Sequence, residues 1–243
     1  MNSSIQTIVF FLLIAVSAYT QKTNYSEKGV IIQNDGWELK GDLTLVQSNT
    51  KTPIVLMLNK ANGNRGAYEL LANLLAENNI SSLRLDLRGH GESINKGKFV
   101  PFDSVNNSKI NLDGTYTDII AAHKYLLSIK QVDTNKIGII GASYSGENML
   151  VSARKFKRAK CYLALSPGSF SNESIDSIDS YGTSVLFIKS IEEKSMQGFE
   201  EKLFANSKKA QVLIVPGKSH ATDILLAYPE ISEMIADWLH RHL

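Results

Sequence analysis

The sequence contains a single cysteine, Cys161, among its 243 residues. One cysteine cannot form an intrachain disulfide, so the fold has to be stabilised by its core. Cys161 lies in the apolar stretch 161–165, which favours a buried small hydrophobic side chain over a nucleophile or a metal ligand. The sequence therefore assigns this thiol no chemical role.

A strong charge of either sign is also missing. The formal net charge is +2, and no basic tract or aromatic stripe is present, so we expect no nucleic-acid partner. The histidines have no cysteine or carboxylate partners at ligand spacing, and no Gly-x-Gly-x-x-Gly follows the first strand, so we expect neither metal nor cofactor. A content of 43% apolar residues is typical of one globular domain with an ample core.

One long apolar run is present, at the N-terminus. Residues 5–16 are almost entirely apolar, and residues 16–18 (Val-Ser-Ala) are small enough for signal-peptidase cleavage. We predict a signal peptide over residues 1–18 and export to the periplasm or the medium, with no stable membrane insertion after cleavage. An uncleaved N-terminal membrane anchor is the alternative. A polar segment over residues 19–29 and a single domain over residues 30–243 are predicted to follow.

Strand-like and helix-like segments alternate from residue 30 onwards, which predicts a mostly parallel sheet covered by helices on both faces. The predicted strands cover residues 30–33, 37–46, 53–59, 82–86, 136–140, 161–166, 184–190 and 211–216. The predicted helices cover residues 68–78, 113–130, 147–156, 196–206 and 222–240.

The most informative segment is residues 141–146 (Gly-Ala-Ser-Tyr-Ser-Gly), which follow an apolar strand. Small residues at a tight strand-to-helix turn predict a nucleophile elbow that exposes the Ser143 hydroxyl. The turn also directs the Tyr144 N–H towards the place where an oxyanion would form. The usual motif has glycine where this chain has Ser145, so a helix cap at Ser143 is the alternative.

Residues 86–93 (Asp-Leu-Arg-Gly-His-Gly-Glu-Ser) form a second motif. With the elbow and the order of the strands, this motif resembles the α/β-hydrolase superfamily over residues 30–243. Residues 217–223 (Gly-Lys-Ser-His-Ala-Thr-Asp) are similar to its compact dienelactone-hydrolase-like and esterase-like members. The resemblance implies an α/β-hydrolase fold: a twisted, mostly parallel eight-stranded sheet with helices on both faces and little or no lid.

A serine nucleophile needs a general base, and five histidines are candidates. His220 follows a predicted strand and a turn, which places it on a loop at the carboxyl edge of the sheet beside the elbow. We therefore predict His220 as the base. His90 and His123 are predicted to be structural, and His240 and His242 lie at the C-terminal end.

The third member of a triad is a carboxylate that accepts from the imidazole N–H. Glu193 is the predicted acid and Glu192 the alternative, because both follow the predicted strand 184–190 and the chain order Ser, acid, His is that of α/β-hydrolases. The resemblance implies aspartate at this place. Asp176 and Asp179 in the preceding loop are a further alternative.

The second oxyanion donor is expected from the turn after the strand 53–59, at Lys60 or Ala61. The superfamily often has His-Gly there, whereas this chain has Asn59 followed by Lys60. Loss of one donor would cost about 3 kcal/mol of transition-state stabilisation.

These residues predict a serine hydrolase that acts on a small-molecule carboxylic ester through an acyl-enzyme. The alternative is a non-catalytic binding protein of the same fold, in which the oxyanion hole is degraded. The sequence predicts no oligomeric state.

Overall fold

The computed structural model describes residues 24–99, 114–167, 171–174, 176, 183–193 and 210–243. The predicted signal peptide and the predicted helix over residues 196–206 lie outside the described residues. The expectation of little or no lid concerns loops that also lie largely outside them.

Eight strands and five α-helices are present in the described part of the chain. The strands are β1 (Tyr25–Asn34), β2 (Trp37–Val46), β3 (Thr52–Leu58), β4 (Ser81–Leu85), β5 (Val132–Ala142), β6 (Cys161–Leu165), β7 (Ser184–Ser190) and β8 (Ala210–Val215). The helices are α1 (Glu69–Glu77), α2 (Tyr116–Leu127), α3 (Tyr144–Lys155), α4 (Asp223–Ala227) and α5 (Pro229–His242), and a 3₁₀ turn (Arg65–Tyr68) precedes α1.

All eight strands form one sheet in the order β1-β2-β4-β3-β5-β6-β7-β8. β2 pairs antiparallel with β1 and β4, and every other neighbouring pair is parallel. Every residue of β4 and β6 is buried, as expected for strands covered on both faces. The predicted eight-stranded, mostly parallel sheet is therefore confirmed.

The sheet separates two hydrophobic cores. Alternate residues of β3 enter different cores: Leu56 packs in the core under α2 and α3, and its neighbour Met57 packs in the core under α1, α4 and α5. Helices thus cover both faces, as predicted. None of the described helices is both long and apolar enough to span a bilayer.

The largest departures from the predicted boundaries are at three places. β1 begins at Tyr25, inside the segment predicted as polar, because residues 25–29 are exposed and carry no hydrophobic signal. The full ladder with β2 defines them as part of the strand. β5 begins at Val132 instead of residue 136. The single helix predicted over residues 222–240 is two helices, since Pro229 starts α5 and its ring prevents α4 from continuing.

Candidate active site

Ser143 lies at the sharp turn between β5 and α3. Its backbone has φ 53° and ψ −123°, a strained conformation for a residue with a side chain and the one a nucleophile elbow requires. The side chain makes no capping hydrogen bond to α3, so the alternative of a helix cap is wrong. Two glycines allow the turn: a Cβ at Gly141 would lie 2.7 Å from the Ser145 carbonyl oxygen, and one at Gly146 would lie 2.9 Å from the Pro167 Cβ.

Ser145, which stands where the usual motif has glycine, is fully buried. Its hydroxyl accepts from the Ala142 N–H at 2.7 Å and lies 2.9 Å from the Ala142 carbonyl oxygen. A buried hydroxyl is tolerated when its hydrogen bonds are made. Serine in place of glycine at residue 145 therefore adds hydrogen bonds across the turn and leaves the elbow intact.

His220 reaches the elbow from the loop after β8. Its Nε2 lies 2.9 Å from the Ser143 Oγ, although the two residues are far apart in the sequence. The loop is held by the buried Ser190 hydroxyl, which donates to the Ser219 carbonyl at 2.7 Å, and by the Asp223 N–H, which donates to the His220 carbonyl at 3.1 Å. The imidazole is thus positioned to accept the serine proton.

Glu193 contacts the other side of the imidazole. Its Oε1 accepts from the His220 Nδ1, and its Oε2 accepts from the Ser166 hydroxyl at 2.7 Å. Burial by itself opposes ionisation of this carboxyl, but the hydrogen bonds from His220 and Ser166 outweigh burial and lower the pKa of Glu193. An ionised carboxylate only accepts, so the imidazole carries its proton on Nδ1 and presents a lone pair to Ser143.

The other carboxylates considered are not part of this arrangement. Glu192 is exposed, and its backbone N–H donates to the Gly217 carbonyl at 2.9 Å. Asp176 is exposed, and Asp179 lies outside the described residues. The structure therefore brings together Ser143, His220 and Glu193.

The proposed oxyanion donors flank the elbow. Tyr144 opens α3, and Lys60 and Ala61 follow β3; none of their backbone N–H groups donates a hydrogen bond to another described residue. The Lys60 carbonyl accepts from the Gly63 N–H at 3.0 Å and from the buried Asn59 side chain at 2.9 Å. In a planar trans peptide the next N–H points the opposite way, so the Ala61 N–H is directed away from these partners.

Asn59 was not among the predicted site residues, yet it holds this loop. Its Oδ1 accepts from the Leu87 N–H at 2.8 Å, which ties the loop after β3 to the Arg-Gly-His-Gly loop. The Lys60 ammonium also pairs with Asp223 at 2.5 Å, three residues after His220. The side chains of Asn59 and Lys60 thus stabilise a turn where the superfamily often has glycine.

Among the described residues, no histidine other than His220 forms a hydrogen bond with the Ser143 hydroxyl. His90 is buried and stacks on Phe99 and on Tyr144, and burial lowers its pKa. His123 is buried on α2, and burial lowers its pKa to about 4. His240 is exposed. His242 is the last residue of α5, where its Nδ1 lies against the Trp238 carbonyl oxygen and its ring stacks on the Trp238 ring.

A cavity of about 370 Å³ lies beside the loop after β3, between residues 62–64 on one side and residues 89–91 and 98–99 on the other. Among the residues that the structure describes, no group of three or more histidine, cysteine or carboxylate side chains is placed to hold a metal ion.

Known proteins share this architecture. The sequence profile of the prolyl oligopeptidase family matches residues 73–180, which include the elbow. No curated protein sequence matches the chain significantly. Dienelactone hydrolase from Anabaena variabilis superposes with a TM-score of 0.70 at 17% identity, over 90% of this chain and 99% of that one. Est1E from Butyrivibrio proteoclasticus gives 0.68 at 16% identity, over 88% and 98% of the two chains.

The Pyrococcus furiosus esterase Pf2001 superposes with a TM-score of 0.65 at 17% identity, over 90% of this chain and 93% of that one. The strand order and these likenesses define an α/β-hydrolase fold. With the partial match to a hydrolase family, they place the chain in the α/β-hydrolase superfamily.

Proposed function

We propose that the protein is a serine hydrolase that cleaves small carboxylic esters through a Ser143 acyl-enzyme. The observation that carries the proposal is the 2.9 Å contact between the Ser143 Oγ and the His220 Nε2 at a strained elbow. A serine hydroxyl is a weak nucleophile unless an adjacent base accepts its proton. Strain at this turn without a chemical role would be an uncompensated cost of about 1–3 kcal/mol.

In the first step, the Ser143 oxygen attacks the ester carbonyl carbon as its proton passes to the His220 Nε2. The carbonyl oxygen becomes an oxyanion, which the N–H groups of Tyr144 and of Ala61 or Lys60 stabilise. The C–O bond to the alcohol then breaks, and His220 returns the proton to the leaving oxygen. Glu193 remains ionised throughout and stabilises the imidazolium that forms in between.

In the second step, His220 removes a proton from water, and the resulting hydroxide equivalent attacks the acyl carbon. The bond from this carbon to the Ser143 oxygen breaks, the proton goes back to Ser143, and the carboxylic acid leaves. Only water and the ester are consumed, so no cofactor enters either step.

Esters are preferred over other acyl substrates because Pf2001, one of the structures of similar fold, is an esterase. Est1E has also been solved with ferulic acid bound.

A second candidate is hydrolysis of a peptide bond by the same residues. The match of residues 73–180 to the prolyl oligopeptidase family is the observation that favours it. A set of peptide p-nitroanilides assayed beside p-nitrophenyl acetate distinguishes the two, since a peptidase would cleave the anilides with the larger kcat/KM.

The test of the proposed function is turnover of p-nitrophenyl acetate by the wild type and by Ser143→Ala. The variant deletes one hydroxyl without disturbing the strand or the helix, so we expect turnover to fall to the level of buffer while the melting temperature is retained. His220→Ala should behave in the same way, and His240→Ala, at an exposed histidine, is the matched control. Wild-type binding of esters without turnover would favour the alternative of a binding protein.

We further propose that residues 1–18 direct export and are then removed. Intact-mass measurement of protein recovered from the periplasm or medium should give the chain without these residues. Recovery of the full-length chain in the membrane fraction would favour the uncleaved anchor.

A further inference from the structure

Ser166 connects the acid and the base of the proposed triad. It follows β6 directly and is fully buried. Its hydroxyl donates to the Glu193 Oε2 at 2.7 Å and accepts from the Ala221 N–H at 3.0 Å. Ala221 is the residue after His220, so one hydroxyl contacts both the carboxylate and the loop that carries the imidazole.

The backbone of Ser166 is held in an unusual conformation. Its φ is 41°, in the left-handed region that glycine adopts without strain, and its N–H donates to the Ile188 carbonyl at 2.8 Å, which fixes it to β7. A side chain at such a position costs free energy that glycine would avoid. The two hydrogen bonds of the hydroxyl offset this cost, which indicates that the side chain has a functional role at this position.

The role of the Ser166 hydroxyl follows from the length of the Glu193 side chain. Glutamate has one methylene more than aspartate and therefore one more torsion angle through which its carboxylate can turn away from the imidazole. A hydrogen bond to Oε2 fixes this last torsion, so Oε1 faces His220. Because the donor is neutral and buried, it also favours the ionised form of the carboxyl.

We infer that Ser166 is a positioning residue of the hydrolase, which holds Glu193 in the orientation that supports His220. The inference rests on the proposed function, because it assigns Ser166 an effect on a reaction that Ser143 initiates. Ser166 touches no reacting atom, and it acts through Glu193 and the Ala221 N–H.

The experiment compares Ser166→Ala and Ser166→Gly with the wild type, using kcat, KM and the pH profile of kcat/KM for p-nitrophenyl acetate. Both variants remove the hydroxyl, but glycine also relieves the strain at φ 41°, so its fold is the less disturbed of the two. We expect both to lose kcat by roughly tenfold with KM within about twofold. The acid limb of the profile reports protonation of the base, and it should move to higher pH, because a carboxylate that has lost one donor holds more negative charge towards His220 and so favours the protonated imidazole.

Ser81→Ala is the matched control. Ser81 is also fully buried, and its hydroxyl makes two contacts, with the Val46 N–H at 3.1 Å and the Thr52 hydroxyl at 2.9 Å, at the other end of the sheet. This variant should lose stability while keeping the wild-type kcat and pH profile.

Wild-type kcat and an unshifted acid limb in Ser166→Gly would overturn the inference, as would the same kinetic defect in Ser81→Ala. Failure of the proposed function has a different signature, since the wild type itself would then not turn over the ester.

Discussion

Comparison of Glu193→Gln with Glu192→Gln tests which of these two adjacent carboxylates supports His220. Glu193→Gln keeps the shape of the side chain and can still accept from Ser166, but it removes the negative charge that faces the imidazole. Glu192 is exposed, and no side-chain contact joins it to His220 in the described part of the chain. The adjacent residue therefore provides a control of identical chemistry.

The size of the effect follows from burial. The Glu193 side chain is 6% exposed, so its charge is little screened, whereas the His220 side chain is 39% exposed and is partly screened. Removing one partner of a buried charge pair costs about 3–5 kcal/mol, and partial exposure of the imidazole favours the lower end. A loss of about 3 kcal/mol in the transition state corresponds to a fall in kcat of roughly a hundredfold to a thousandfold.

The assay is kcat for p-nitrophenyl acetate at neutral pH, with circular dichroism and thermal melting to establish that both variants fold. The kcat of Glu193→Gln should fall by roughly a hundredfold to a thousandfold, and the kcat of Glu192→Gln should remain within about twofold of the wild type. A larger defect in Glu192→Gln, or a kcat for Glu193→Gln within threefold of the wild type, would refute the assignment of the acid.

Three further predictions concern the surroundings of the site. Burial lowers the pKa of His123 to about 4, so between pH 6.5 and 4 the unfolded chain binds a proton that the folded chain does not. Stability is therefore lost as the pH falls through this window, and His123→Leu should remove about 3 kcal/mol of that loss in urea titrations at pH 7 and pH 4. Lys60→Ala removes the ion pair with the half-exposed Asp223 but keeps the backbone N–H, so kcat should fall by less than about fivefold; a hundredfold loss would contradict a backbone donor. Gly146→Ala should lower stability by about 1–3 kcal/mol and reduce turnover, because its Cβ would meet Pro167 at 2.9 Å; unchanged melting and kcat would contradict this packing.

The sequence predicted the parts of this protein that have strong local signals. The central strands are apolar on both faces, so their number and order of appearance were readable, and the small residues around Ser143 predicted the elbow. β1 was placed too late because an exposed edge strand has polar residues at most positions. The break between α4 and α5 depends on Pro229, a signal that was present but was outweighed by the apolar periodicity on either side.

The candidate site was predictable only where chain order and residue type were decisive. His220 follows a strand at the carboxyl edge, which distinguished it from His90 and His123. The choice between Glu192 and Glu193 stayed open, since adjacent residues on a loop differ only in which way the backbone turns them. Ser166 could not be found from the sequence, because its role depends on a positive φ and on two partners from distant loops.

The most direct test of the account is a fluorophosphonate reaction followed by peptide mass mapping of the adduct, on the wild type, His220→Ala and His240→Ala. If the contact between the Ser143 Oγ and the His220 Nε2 activates the serine, the adduct will be on the peptide that contains Ser143 in the wild type and in His240→Ala, and it will be absent from His220→Ala. No adduct in the wild type, or equal labelling of Ser143 in His220→Ala, would contradict it.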